Sequence, residues 1–216
     1  MKSTGAGDIR TTRKNDTSNS DAFILSIRRG GNCPNSLEVL QQLLQPRDDL
    51  KPYLVTSLPK KASPATKRII DSFGQGSPVD FGYCQFRENH TEPACSWIIR
   101  SEDTGSRTLV NYNELPEITT REFEAVVNSF DGDQETWWHF EGRNIETAIE
   151  SVQVIRRVLP GAKVSVEVEK PAREGLKELA AIADVVFYSR SWAEGNGYSS
   201  ADNCLKGEAQ SGLYTA

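Results

Sequence analysis

Residues 136–171 read TWWHFEGRNIETAIESVQVIRRVLPGAKVSVEVEKP, and this stretch decides the fold class. A strand pattern at 136–140 is followed by apolar residues at helical spacing over 145–159. Pro160-Gly161 ends that helix, and alternating valines over 164–168 form the next strand. Strand, helix and strand at this spacing predict parallel strands joined by a crossover helix.

The alternation continues on both sides of this stretch. Downstream, a helix opened by Pro171 precedes a strand at 185–188, and upstream Thr119 and Glu122 form a capping box before an apolar helix face. Further upstream, the sequence predicts strands at 23–27 and 53–56 and helices that have Pro34 in the first turn and that span 64–73. It also predicts two strands, Cys95–Arg100 and Arg107–Tyr112, joined by a tight turn. The predicted fold class is α/β, a mostly parallel sheet flanked by helices.

Composition separates a polar leader from the rest of the chain. The first 20 residues are rich in Ser, Thr, Asn, Gly and Lys and are predicted to be a disordered leader, with one domain over 21–216. The formal net charge of −5 argues against a nucleic-acid or acidic-membrane partner. Hydrophobic residues at 37% are enough for a sizeable core.

The four cysteines (Cys33, Cys84, Cys95 and Cys204) show no CxxC spacing and no paired histidines nearby, so no metal site is predicted. Unpaired thiols without an apolar signal segment fit a cytoplasmic protein. No run approaches the ~20 apolar residues that a membrane span needs.

The loop Gly30-Gly31-Asn32-Cys33-Pro34-Asn35 is the clearest candidate for ligand binding. Two glycines allow close approach of the backbone to a ligand, and Asn32 and Asn35 offer donors and acceptors suited to sugar hydroxyls. The helix that follows points free N–H groups at the same place. The alternative is a tight turn whose asparagines cap the helix.

Two further stretches lie at strand ends, where α/β sheets bind ligands. The first is Glu141-Gly142-Arg143-Asn144, which is either a polar ligand contact or a surface ion pair with Asn144 as N-cap. The second is the strand over 164–169, whose alternation of Val with Ser and Glu is unusual for a sheet buried on both faces. Either that strand is half exposed or its acids face a site.

Taken in order, several segments resemble the PfkB-type (ribokinase-like) sugar kinases over residues 22–206. The segments are Arg28–Asn32, Gly105–Thr108, Phe140–Asn144, Val166–Pro171 and Asp184–Phe187. The resemblance implies a helix-flanked sheet with a small β lid, formed here by about 22–29 and 93–113. It also implies transfer of the γ-phosphate of ATP, with Mg²⁺, to a sugar such as fructose.

The resemblance assigns roles to individual residues. Gly31, Asn32 and Asn35 would contact the sugar, and Glu141 and Arg143 would line or brace the sugar site. Arg107 would lie near the nucleotide phosphates, where a fixed cation stabilises developing charge. The lid strands also make a homodimer through the lid an expectation.

The chain departs from the family in its catalytic segment. Family members carry a Gly-Ala-Gly-Asp motif in a C-terminal ATP-binding half, whereas residues 205–216 show no such feature. Thr4-Gly5-Ala6-Gly7-Asp8 spells the motif near the other end, without an apolar helix after it. No catalytic residue is therefore assigned, the predicted fold is incomplete, and two alternatives stay open: a non-catalytic sugar-binding or dimerising protein, and a truncated gene product.

Overall fold

The computed structural model describes residues 27–101 and 104–210. The chain divides into two compact units, with the boundary between Ile118 and Thr119. The predicted leader at 1–20, the segment Thr4–Asp8 and the first lid strand up to residue 26 lie outside the described residues. Whether 21–216 acts as one domain stays a prediction.

The first unit combines two helices with two pairs of short strands. Its elements are α1 (Asn32–Leu43), β1 (Ser57–Pro59), α2 (Pro64–Asp71), β2 (Gln85–Arg87), β3 (Cys95–Arg100) and β4 (Arg107–Tyr112). Strands β1 and β2 pair in parallel, and β3 and β4 form an antiparallel hairpin. The hairpin lies where the sequence predicted it.

The predicted strand at 53–56 is displaced. Tyr53 makes only an isolated bridge with Asp80, and regular pairing starts at Ser57. The carbonyl of Leu54 accepts a hydrogen bond from the thiol of Cys84 at 3.0 Å. Prediction from the apolar pattern alone therefore placed the strand about four residues too early.

The core of the first unit lies between α2 and the β1–β2 pair. Its buried members are Leu54, Leu58, Ile69, Phe73, Val79 and Cys84, and Leu37 of α1 packs against them. At the start of α2, the hydroxyl of Ser63 accepts the backbone N–H of Thr66, which caps the helix. The predicted helix at 64–73 is thereby confirmed, two residues shorter at its end.

The β3–β4 hairpin is exposed along most of its length. Trp97, Ile98 and Ile99 are 60%, 59% and 65% exposed, and β4 is exposed at every position. A two-stranded hairpin is marginally stable by itself, so a partner surface would stabilise this one.

The second unit alternates helices with a three-stranded parallel sheet. Its elements are α3 (Thr120–Val127), β5 (Trp137–Glu141), α4 (Ile145–Val158), β6 (Lys163–Val168), α5 (Leu176–Ala180), β7 (Val185–Tyr188), α6 (Arg190–Gly195) and α7 (Ala201–Gln210). The strand order is β5-β6-β7, and both pairings are parallel. The alternation predicted from 136–188 and the capping box of Thr119 and Glu122 are confirmed.

Helix α5 differs from its prediction because it begins at Leu176 and not near Pro171. Gly175 precedes it in a left-handed conformation (φ 77°), and an added Cβ there would lie 2.7 Å from Ile145 Cγ2. The backbone thus turns sharply at a place where only glycine fits. Helices α6 and α7 were not predicted.

The central strand β6 has the buried valines Val164, Val166 and Val168 on the side of the sheet that carries Trp138. Phe123 of α3 meets the ring of Trp138 edge to face at 5.4 Å, so the helices cover this side. The other side carries Trp137 and Phe187, which are 62% and 54% exposed. No helix within 27–101 and 104–210 is both long and apolar enough to cross a bilayer.

Candidate functional site

The loop before α1 takes the shape that its glycines allow. Gly31 is the N-cap residue with φ 96°, a conformation that favours glycine, and Asn32 is the first residue of the helix. The Asn35 N–H donates to the Gly31 carbonyl at 3.1 Å. The N-cap position is occupied by Gly31, so neither asparagine stands at the N-cap of this helix.

Arg29 fastens this loop to the rest of the first unit. Its Nη1 donates to Asn35 Oδ1 at 3.3 Å, its Nε donates to Ser72 Oγ at 2.9 Å, and its Nη2 pairs with the carboxylate of Glu38. The guanidinium also lies 4.2 Å from the ring centroid of Phe73. Burial lowers the pKa of Arg29, and the charge of Glu38 opposes that shift.

Glu141 and Arg143 lie together at the carboxyl end of β5. The Arg143 N–H donates to the Glu141 carbonyl at 2.8 Å, and Arg143 Nε lies 4.0 Å from Glu141 Oε2. Both side chains are about three-quarters buried, so the pair is not an ordinary surface ion pair. Asn144 stands at the N-cap of α4, as predicted, but makes no side-chain capping bond.

Gly142 between them is packed against the neighbouring strand end. An added Cβ would lie 2.2 Å from the Glu167 carbonyl oxygen and 2.5 Å from Leu176 Cδ2. The carbonyl of Gly142 accepts a hydrogen bond from the Arg173 guanidinium. This strand-end loop is therefore fixed by close backbone packing.

The polar residues of β6 form a hydrogen-bonded cluster with β5. Ser165 Oγ lies 2.8 Å from His139 Nδ1 and accepts the indole N–H of Trp137, also at 2.8 Å. His139 Nε2 lies 3.3 Å from Glu167 Oε1. Ser165 is fully buried and Glu167 is largely buried. The alternative in which the polar residues of this strand face solvent therefore does not hold at these two positions.

Arg107 opens β4 and lies opposite Arg100 across the hairpin. Its side chain is exposed, which leaves it accessible to a charged ligand. Its predicted role at the nucleotide phosphates stays a prediction.

Sequence reasoning missed Arg29 and Glu38 as parts of the loop. The signal for Glu38 was present, because positions 35 and 38 share one face of a helix that starts at Asn32. Nothing in the sequence pointed from Arg29 to Ser72, which is 43 positions away.

Comparison with known proteins identifies relatives for this chain. No protein-family model matches it. The chain is 30% identical to mouse (Mus musculus) ketohexokinase over 219 aligned positions, which cover 92% of this chain and 65% of the relative. It thus spans just under two thirds of the length of that relative.

Two solved structures share the fold. Ribokinase from Giardia lamblia matches with a TM-score of 0.57 and 14% identity, over 90% of this chain and 57% of that one. Phosphofructokinase-2 from Escherichia coli, in complex with fructose-6-phosphate, matches with a TM-score of 0.52 and 10% identity, over 96% of this chain and 66% of that one. These likenesses confirm the ribokinase-like α/β fold class. The chain is thus similar in sequence to ketohexokinase, and it shares its fold with ribokinase and phosphofructokinase-2.

Proposed function

We propose that this chain supplies the sugar-binding side of an ATP-dependent carbohydrate kinase that acts on a ketohexose such as fructose. Gly31, Asn32 and Asn35 are the residues that we propose to contact the sugar, and Glu141 and Arg143 are those that we propose to line or brace a sugar site. The proposal also places the protein in the cytoplasm.

The observation that carries the proposal is the glycine of positive φ at the N-cap of α1, which leads directly into a first turn that carries Asn32 and Asn35. The two asparagine side chains lie within one turn of each other, and the adjacent Arg29 adds a cation to the segment. A side-chain amide carries both donors and an acceptor, which suits the hydroxyls of a sugar. Ketohexokinase as a 30% identical relative supports the choice of sugar.

The family's reaction uses ATP and Mg²⁺, and we assign one residue of this chain to the nucleotide and none to the metal. Arg107, an exposed guanidinium at the start of β4, is the residue that we assign to the nucleotide phosphates. Within the described parts of the chain, no group of three His, Cys, Asp or Glu side chains is placed to hold a metal ion, and none is assigned to Mg²⁺. When bound, the metal would neutralise phosphate charge.

We further propose that phosphoryl transfer by these 216 residues alone is impaired. The segment Thr4–Asp8 is the place where the sequence spells Gly-Ala-Gly-Asp, and no apolar helix pattern follows it. Without an aspartate positioned as base, sugar binding is expected without turnover at an ordinary rate.

The test is calorimetric titration of the 216-residue chain with fructose, alongside an assay of ATP- and Mg²⁺-dependent phosphorylation. Saturable binding is expected, weakened about tenfold in Asn32→Ala because one side-chain hydrogen-bonding group is lost. The matched control is Asn89→Ala, an exposed turn residue in the same unit, which should bind as the unmodified chain does. Absence of binding contradicts the proposal, and turnover at about 1–100 s⁻¹ contradicts the impairment.

The exposed hairpin supports a second proposal, that the chain forms a homodimer through β3 and β4. Six apolar side chains of the hairpin are exposed: Trp97, Ile98, Ile99, Leu109, Val110 and Tyr112. Exposed apolar strands pair readily with another chain. A dimer of this kind is compatible with an active kinase and with a non-catalytic protein.

Sedimentation velocity over a range of concentrations tests the dimer. Ile99→Asp in β3 should shift the chain to monomer, because a charge in the contact would be desolvated without a partner. Leu205→Asp in α7 changes a side chain of similar exposure (58%) and should leave the association unchanged. A monomeric unmodified chain, or equal effects of the two substitutions, would contradict this proposal.

A further inference from the structure

We propose that Arg29 is a positioning residue for the sugar loop. Its guanidinium orients the side-chain amide of Asn35 so that the NH₂ group, and not the carbonyl oxygen, faces the sugar. This inference rests on the proposed function, because it takes Asn35 as a sugar contact.

The first step is that Arg29 itself is held firmly. Its side chain is only 4% exposed and lies over the ring of Phe73. Its Nε donates to Ser72, and the hydroxyl of Ser72 in turn donates to the Ile69 carbonyl at 2.6 Å. Glu38 of α1 holds Nη2. Glu38 in α1 and Ser72 at the C-cap of α2 thus fix the plane of the guanidinium before any ligand is bound.

The second step concerns the amide of Asn35. A guanidinium carries only donors, so the group that Asn35 turns toward Arg29 Nη1, 3.3 Å away, must be its oxygen. The NH₂ group is then the branch of the planar amide that does not face Arg29. A hydroxyl of the sugar facing Asn35 is consequently bound as an acceptor.

The third step is that this task needs arginine. Three different nitrogens of Arg29 serve three different acceptors, on Ser72, Asn35 and Glu38. A lysine ammonium keeps the charge but is a single point on a flexible chain, and it cannot hold three acceptors in one plane. Arg29→Lys therefore preserves the cation and removes the orientation.

The experiment is a double-mutant cycle on the full chain, read as fructose affinity by calorimetry. Arg29→Lys is expected to weaken fructose binding about tenfold, and Asn35→Ala by a similar factor. Because Arg29 acts on the sugar through Asn35, the double variant should bind no more weakly than Asn35→Ala alone. A general structural role would instead lower the affinity by the same factor in both backgrounds.

Each other outcome has a distinct meaning. If the unmodified chain binds fructose and Arg29→Lys binds it equally well, or if the effects of the two substitutions multiply, the inference is wrong and the proposed function stands. If the unmodified chain binds no fructose, the proposed function fails and the inference fails with it.

A milder variant covers the case in which Arg29→Lys does not fold. Ser72→Ala removes the bond that aligns Nε and keeps the cation. It should weaken fructose binding about threefold, a smaller loss than that of a complete hydrogen-bonding group, and this loss should vanish in the Asn35→Ala background. Unchanged affinity in Ser72→Ala, or the same loss in both backgrounds, would contradict the inference.

Discussion

The two segments that carry the proposed sugar-site residues are held in place in different ways. The first loop, Gly31–Asn35, comprises the N-cap and the first turn of α1, and it is held by the side chain of Arg29, which bonds to Asn35 and to Glu38. The loop Glu141–Arg143 is fixed by its backbone, because Gly142 touches the Glu167 carbonyl. One loop therefore depends on polar side-chain bonds and the other on the absence of a side chain.

This difference sets how each loop responds to substitution. Hydrogen bonds and ion pairs can be removed one at a time, each with a moderate effect on stability. Close-packed backbone has no room to yield, so a single added methyl group must displace a neighbour. The second loop should accordingly be the less tolerant of the two.

The largest effect is expected for Gly142→Ala. The new Cβ would lie 2.2 Å from a backbone oxygen, which cannot move without disturbing the β5–β6 pairing. We expect the free energy of unfolding in urea to fall by about 3 kcal/mol or more.

Gly161→Ala is the matched control, because no atom lies within 4 Å of a Cβ added there. Its free energy of unfolding should stay within about 0.5 kcal/mol of that of the unmodified chain. Equal stability of Gly142→Ala and Gly161→Ala would show that the second loop is not tightly packed.

An intermediate effect is expected for Glu38→Gln in the first loop. The change leaves the buried charge of Arg29 without its carboxylate, while Glu38 itself is 44% exposed and partly screened by water. The loss in the free energy of unfolding should be about 1–2 kcal/mol, below that of a fully buried pair.

Glu194→Gln provides the comparison for that loss. It breaks the pair with Arg190, whose side chain is 91% exposed, and should leave the free energy of unfolding nearly unchanged because water screens the pair. If both glutamine variants unfold at the same urea concentration, Arg29 does not depend on Glu38.

Local patterns predicted most of the fold. The spacing from Trp137 to Tyr188 gave the three parallel strands, because each strand is followed by residues of a different period. It placed the strand predicted at 53–56 too early, since Tyr53 makes only an isolated bridge and regular pairing begins at Ser57. It failed again before Leu176, where the conformation of Gly175 delays the helix.

The candidate site was predicted only in part. The glycine turn and the asparagines at the start of α1 follow from local sequence, and in the structure they form the N-cap and the first turn of that helix. The contacts that hold the loops, from Arg29 to Ser72 and from Gly142 to Glu167, join residues more than 20 positions apart. A single sequence carries no record of such contacts, so they came from the structure.

The smallest effect on the free energy of unfolding is expected at the amino end of the β5-β6-β7 sheet, where a carboxylate holds the strands together. Asp184 Oδ2 accepts the Val164 N–H at 2.7 Å and Arg156 Nη2 at 2.9 Å. Burial by itself raises the pKa of Asp184, but these two hydrogen bonds outweigh it and hold the pKa below its usual range. Asp184→Asn should therefore reduce the free energy of unfolding at pH 7 by about 1 kcal/mol or less.

The stabilisation that the Asp184 anchor provides should depend on pH. A carboxyl whose pKa is lowered by folding stabilises the protein above its unfolded pKa of about 3.9, and that stabilisation is lost as the pH falls through the lower folded value. The difference between Asp184→Asn and the unmodified chain should thus be constant from about pH 7 to pH 5 and shrink below about pH 4. Asp202→Asn, in an exposed pair with Lys206, should show little difference at either end of the range. If the difference in the free energy of unfolding between Asp184→Asn and the unmodified chain grew as the pH fell, the fold would not be stabilising the carboxylate form of Asp184.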